Sequence, residues 1–133
     1  MDQTTDFDFD SIEDMPTGTV RIKDADGAPT SMVITLAGPE NPDRKRRDMT
    51  KARRFRSEFA KSGKMPVSDP QDEYDDTTDE MVACTLDWTG ARTPFSAAAA
   101  RALYTDPKRQ WLRVQVVTAL GERSRFLASA ATS

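Results

Sequence analysis

The sequence predicts an α+β fold, mostly α: an N-terminal β-hairpin, a long basic helix, and a compact C-terminal bundle of three short helices. Three observations predict it. Val20 and Ile22 alternate with Thr19, Arg21 and Lys23, and Met32, Ile34 and Leu36 alternate with Val33 and Thr35, on either side of Asp26-Gly27, a strong hairpin turn signal. Asn41-Pro42 and Gly63 bracket a stretch with one narrow apolar stripe, Met49, Ala52, Phe55 and Phe59, spaced three, three and four. Three further helix-start signals follow: Thr77 with Glu80, Ser96, and Asp106-Pro107.

Taken in order, residues 1–16 are expected to be an acidic, disordered tail. Asp alternates with Phe7, Phe9 and Ile12, and residues 1–14 hold six acids and no base. Residues 17–63 combine the hairpin, over 17–38, with a helix from Pro42 to about Lys61. The hairpin's Asp24-Ala25-Asp26 resembles a calcium loop only in its first three positions, because the later glycine and glutamate are missing. Residues 64–76, with two prolines and a run of acids, are expected to be a linker. The helical domain is then expected over 77–128. Its first helix should run from Thr77 to about Trp88, with Met81, Val82, Thr85 and Trp88 or Leu86 inward. A short helix should cover 97–104. A longer one should cover about 107–120, with Trp111, Val114, Val117 or Thr118, and Leu120 inward. Gly121 ends it, and Phe126-Leu127 pack back. The expected core is Trp88, Phe95, Leu103, Trp111 and Phe126.

Composition narrows function by removing chemistry. The chain has 133 residues, no histidine and a single cysteine, Cys84. Imidazole acid–base catalysis, Ser-His and Cys-His nucleophiles and ordinary zinc sites are therefore excluded, and no internal disulfide can form. No phosphate-cradling glycine loop, Rossmann pattern or Gly-x-Ser-x-Gly elbow occurs. The carboxylates lie in solvated runs without an apolar pocket to raise a pKa. A non-enzymatic protein without cofactor or metal is expected. No apolar run approaches the ~18 residues of a membrane span, and the acidic first 15 residues do not resemble a secretory signal. An intracellular protein is expected.

Charge is segregated along the chain. Residues 44–64 hold ten of the 19 basic residues and only two acids, whereas residues 69–80 hold seven acids and no base. A row of Arg and Lys could neutralise phosphates. The sequence pI of about 5.0 argues against a dedicated nucleic-acid domain, and the aromatics lie on the helix's own apolar stripe instead of being interleaved for base stacking. A basic face matched to a protein partner is the stronger reading.

The second half carries a pattern of single residues: Leu86-Asp87-Trp88-Thr89-Gly90, Thr93-Pro94-Phe95-Ser96, Ala99-Ala100-Arg101-Ala102-Leu103-Tyr104, Trp111-Leu112-Arg113-Val114-Gln115-Val116-Val117 and Phe126-Leu127. Together with the hairpin and the Leu36-Ala37-Gly38-Pro39 phrase before the basic helix, this resembles the tail assembly chaperones of long-tailed bacteriophages, over about residues 20–127. The long acidic linker departs from that pattern. The resemblance implies a protein that binds the tape measure protein, keeps it soluble and recruits tail tube subunits. It also implies residence in the host bacterial cytoplasm, absence from the mature virion, and in many relatives a longer frameshifted product. Trp88, Gly90, Pro94, Phe95, Leu103 and Trp111 would be fold residues. The client face is assigned to Met49, Arg53, Phe55, Arg56 and Phe59. No membrane partner is expected, and an oligomer of the chain is compatible with this reading. The rivals are a minor virion protein of the tail or connector, and a small nucleic-acid-binding regulator using helix 42–62.

Overall fold

The computed structural model describes residues 6–65, 67 and 69–129. The chain runs β1 (Ile12–Asp14), β2 (Thr17–Lys23), β3 (Pro29–Ala37), α1 (Pro42–Ser62), α2 (Pro70–Cys84), β4 (Thr85–Thr89), α3 (Ala97–Thr105), α4 (Gln110–Leu120) and β5 (Leu127–Ser129), with single 3-10 turns at Phe9–Ser11, Pro107–Arg109 and Arg123–Phe126. β2 and β3 form the hairpin, with Val20 opposite Ile34. The Asp24 carboxylate closes its turn by accepting from the N–H groups of Asp26 and Ala28, at 2.9 and 3.0 Å.

The expected C-terminal three-helix bundle is not what forms. Residues 85–89 are a strand that pairs antiparallel with β3, Ile34 opposite Trp88, so the sheet order is β2-β3-β4. Met81, Val82, Thr85 and Trp88 satisfy a helical period, which is why a helix is expected there. Thr85, Trp88 and Thr89 also suit a half-buried pleated surface. β3 supplies the backbone partners, and Thr85 and Trp88 are buried as strand residues. Tertiary pairing overrides the local period.

A second correction concerns the linker. α2 begins at Pro70, inside the expected 64–76 segment, and Asp69 is its N-cap, accepting from the N–H of Gln71 at 2.8 Å. Thr77 therefore lies inside α2, and Thr78 donates back to the Tyr74 carbonyl at 2.9 Å instead of capping anything. α1 and α2 are thus a helical excursion between two adjacent strands of one sheet. The two halves of the chain share a single core.

That core lies between one sheet face and α2, α3 and α4. Val20, Ile22, Ile34 and Leu36 meet Met81, Trp88, Ala100, Tyr104, Leu112, Val116 and Phe126. The Tyr104 hydroxyl shares a 2.7 Å hydrogen bond with Thr85 Oγ1. Trp88 donates from Nε1 to the Thr93 carbonyl at 2.8 Å and meets Phe95 edge-on, 5.2 Å between centroids. Phe126 is fully buried against Gly18 and Gly38, where an added Cβ would come within 3.0 Å of its ring. Phe95 and Leu103 are half-buried against the core.

Trp111 is not a core residue. It is 44% exposed, alongside exposed Val114 and Val117. The buried residues of α4 are Leu112, Arg113, Val116, Ala119 and Leu120. Both sets fit a 3.6-residue period on a helix that is apolar nearly all round, and the inward turn of Arg113 decides between them.

The acidic tail is also shorter than expected. Residues 1–5 fall outside the described residues, but Ile12–Asp14 pairs with β5, and the Met15 N–H donates to the Phe126 carbonyl at 2.7 Å.

Candidate protein-binding surface

Of the four α-helices, α1 is the one that the core does not claim. None of its 21 residues is buried. Its ends follow from sequence. Asn41 accepts from the N–H groups of Asp43 and Arg44, and Pro42 fills the first turn. Gly63, at φ 69°, takes the left-handed position that ends the helix, its N–H bonded to the Phe59 carbonyl at 2.7 Å.

Only the first half of α1 is fastened. Arg44 donates to the Ala37 and Leu120 carbonyls, both at 2.8 Å, joining the helix start to the ends of β3 and α4. Glu40 pairs with Lys45 at 2.8 Å and with Arg123 at 3.0 Å, and Arg123 also holds Asp14 at 2.9 Å. Hydrogen bonds from Lys45 and Arg123 hold the Glu40 carboxyl below its ordinary value. One turn on, Lys51 and Arg47 reach Glu80 of α2, at 3.2 and 3.5 Å. Among the described residues, no ion pair or side-chain hydrogen bond joins residues 52–62 to another element. At 1.5 Å per residue that leaves a projecting rod of about 16 Å.

α1 and α2 face each other as opposites. α1 carries nine basic and three acidic residues, α2 six acidic and none basic. Between them lies a groove of about 550 Å³, with Arg46, Arg54 and Phe55 on one wall and Asp76, Asp79 and Glu80 on the other. At its base Arg47 donates to the buried Cys84 Sγ at 3.2 Å, and Cys84 is 3.2 Å from Glu80 Oε1. Burial, with the Glu80 charge beside it, pushes the Cys84 thiol up to about 11. Burial alone would raise Glu80 too, but the Cys84 hydrogen bond and the Lys51 and Arg47 charges hold it below its ordinary value. Burial works against the Arg47 charge, yet Cys84 and Glu80 leave its pKa raised. Tyr104 is pushed up to about 12 by burial. Each shift moves its group away from neutrality, so Cys84 stays a thiol and Glu80 a carboxylate at neutral pH. Among the described residues, no group of three or more Cys, Asp or Glu side chains is placed to hold a metal, and no helix is long and apolar enough to cross a membrane.

The assigned client-face residues stand on the unfastened side. With 100° per residue, Arg47, Lys51, Arg54 and Glu58 share the row toward α2. Phe55 borders the groove, and Phe59, Arg56, Met49 and Arg53 follow in that order round the helix, away from α2. Met49, Phe55 and Phe59 are 54, 42 and 45% exposed, and Arg53 and Arg56 are exposed. The structure thus brings these five residues onto one free helix.

Three structural residues escape a reading of the sequence. Arg44 reads as one more charge in a basic run, although it is the α1 tether. Glu80 reads as a cap, although it takes two cations. Arg113 carries no signal of its own in the sequence, yet its buried guanidinium lies 3.8 Å from the Tyr74 ring centroid. It donates to Thr78 Oγ1 at 2.7 Å and to the Tyr74 and Tyr104 carbonyls at 3.1 and 3.3 Å. The Asp69-Pro70 pair, of the same kind as Asn41-Pro42, is the signal for α2.

The chain matches no protein-family model, no curated protein and no solved structure.

Proposed function

We propose that this chain is a non-enzymatic assembly chaperone of a long-tailed phage, and that α1 receives its client, the tape measure protein. The observation that carries the reading is the free α1 stripe: Met49, Phe55 and Phe59 exposed beside Arg53 and Arg56, on a helix held only at its first half. An amphipathic client helix can lay its apolar face on such a stripe while its acids meet the arginines. The acidic α2 and the polar outer sheet face keep the coated client apart from its neighbours. The pattern around Trp88, Phe95 and Trp111 supports the same family. Under this reading the chain works in the host cytoplasm, also meets tail tube subunits, and is absent from the finished virion.

The test is co-expression with the tape measure protein encoded next to it. Client recovered in the soluble fraction only with this chain, and lost with Phe55→Asp/Phe59→Asp, supports the reading. Client that precipitates regardless overturns it, and a fixed copy number in purified virions would instead make the chain a tail or connector component. The free arginines favour one further reading, contact with nucleic acid. Duplex affinity that falls steeply with salt and vanishes on neutralising Arg53 and Arg54 would support it.

A further inference from the structure

Among the described residues, exposed phenylalanines occur in two places of opposite charge. Phe7 and Phe9 are 63 and 83% exposed and meet edge-on, 5.6 Å between centroids. They stand among Asp6, Asp8, Asp10, Glu13 and Asp14, with no base nearby in sequence. Phe55 and Phe59 stand on the most basic element of the chain. Phe9 opens the 3-10 turn Phe9–Ser11, which leaves the two rings as one exposed edge-on pair. On a helix, residues four apart stack about 6 Å apart. The pair Phe7 and Phe9 matches the pair Phe55 and Phe59 in spacing, and the surrounding aspartates carry the charge opposite to that of α1, whose Arg53 and Arg56 have no ion-pair partner among the described residues.

We propose that α1 of one copy takes up the acidic-aromatic segment Asp6–Asp14 of a second copy, in a head-to-tail contact. Within one copy the two sets do not meet: Phe7 and Phe9 pair with each other, and Phe55 and Phe59 stay exposed. β1 is held to β5, and Asp14 to Arg123 and Glu40, beside the start of α1. Phe7 lies five residues before Ile12 and reaches at most about 17 Å from it, whereas Phe59 lies about 26 Å along α1 from Pro42. The contact joins two different surfaces, so it closes into rings or extends into chains and does not stop at a symmetric pair. It covers Phe55 and Phe59. That this masks a client surface, released when a client displaces the segment, rests on the client reading above; the contact itself does not.

A fluorescein-labelled peptide of residues 6–14, titrated with the full chain carrying Phe7→Ser/Phe9→Ser, reads the contact by anisotropy. Saturable binding is expected. It should weaken at least about tenfold with Phe55→Asp/Phe59→Asp, and about tenfold again between low and high salt, as screened charges require. Should the double aspartate variant lose its fold by circular dichroism, Arg53→Glu/Arg56→Glu serves in its place. Sedimentation of the unaltered chain should show a mass that rises with concentration, abolished by either pair of substitutions. Absence of peptide binding overturns the proposal, as does binding that ignores α1, or a mass that stays monomeric at every concentration. Peptide binding without client solubilisation would leave the contact standing and remove the client reading; the reverse would remove only the contact.

Discussion

The same residue types serve opposite ends in the body and in α1. Phe126 is sealed against Gly18 and Gly38, while Phe55 and Phe59 face solvent. Arg113 is buried on the Tyr74 ring with three oxygen acceptors, while Arg53 and Arg56 are exposed. In the body the largest buried side chains, Tyr104 and Phe126 among them, are fixed by neighbours from other elements. Beyond Lys51, α1 is fixed only by its own helix. Stability is therefore expected to reside in the body, and binding in the arm.

The sharpest way to break that comparison is to open the body. Phe126→Ala removes a fully buried ring and leaves a cavity between β2 and the last turn of the chain. It should cost about 3–5 kcal/mol in urea unfolding. Arg113→Ala should cost about 2–3 kcal/mol, because Thr78 and two carbonyls lose a charged donor. Trp111→Ala sharpens the α4 phase. With its ring nearly half exposed, a loss of only about 1–2 kcal/mol is expected, and a loss as large as that of Phe126→Ala would put the ring in the core.

The junction between body and arm should respond to pH. Glu80 has a folded pKa below its ordinary 4.5. Its contribution is therefore complete above that value and is lost as the pH falls through the lower folded value. Glu80→Gln should cost less than about 1 kcal/mol near neutrality, since Lys51 is half exposed. The urea midpoint of the unaltered chain should fall further on acidification than that of the variant. Equal falls would remove Glu80 from the account.

Local signals were legible where one element decides its own fate. The Asp26-Gly27 turn, the Asn41-Pro42 start, the Gly63 stop and the Ser96 cap all act within a few residues. The stripe on α1 was legible for the same reason, since nothing packs on it to change its meaning. Decisions taken across the chain were not. Thr85–Thr89 carries a helical period and becomes a strand because β3 is there to pair with it. Trp111 carries the larger ring, but Arg113 finds oxygen partners on α2 and α3 and turns its own face inward. Asp69-Pro70 was a readable start, hidden inside a run of acids that resembled a linker.

The most direct test of the division between body and arm is the melting temperature of Phe55→Asp/Phe59→Asp. If α1 is a binding arm, the double variant melts within about 2–3 °C of the unaltered chain, as expected for exposed positions. A fall of about 10 °C or more would mean that the stripe is packed as core, and would contradict the account.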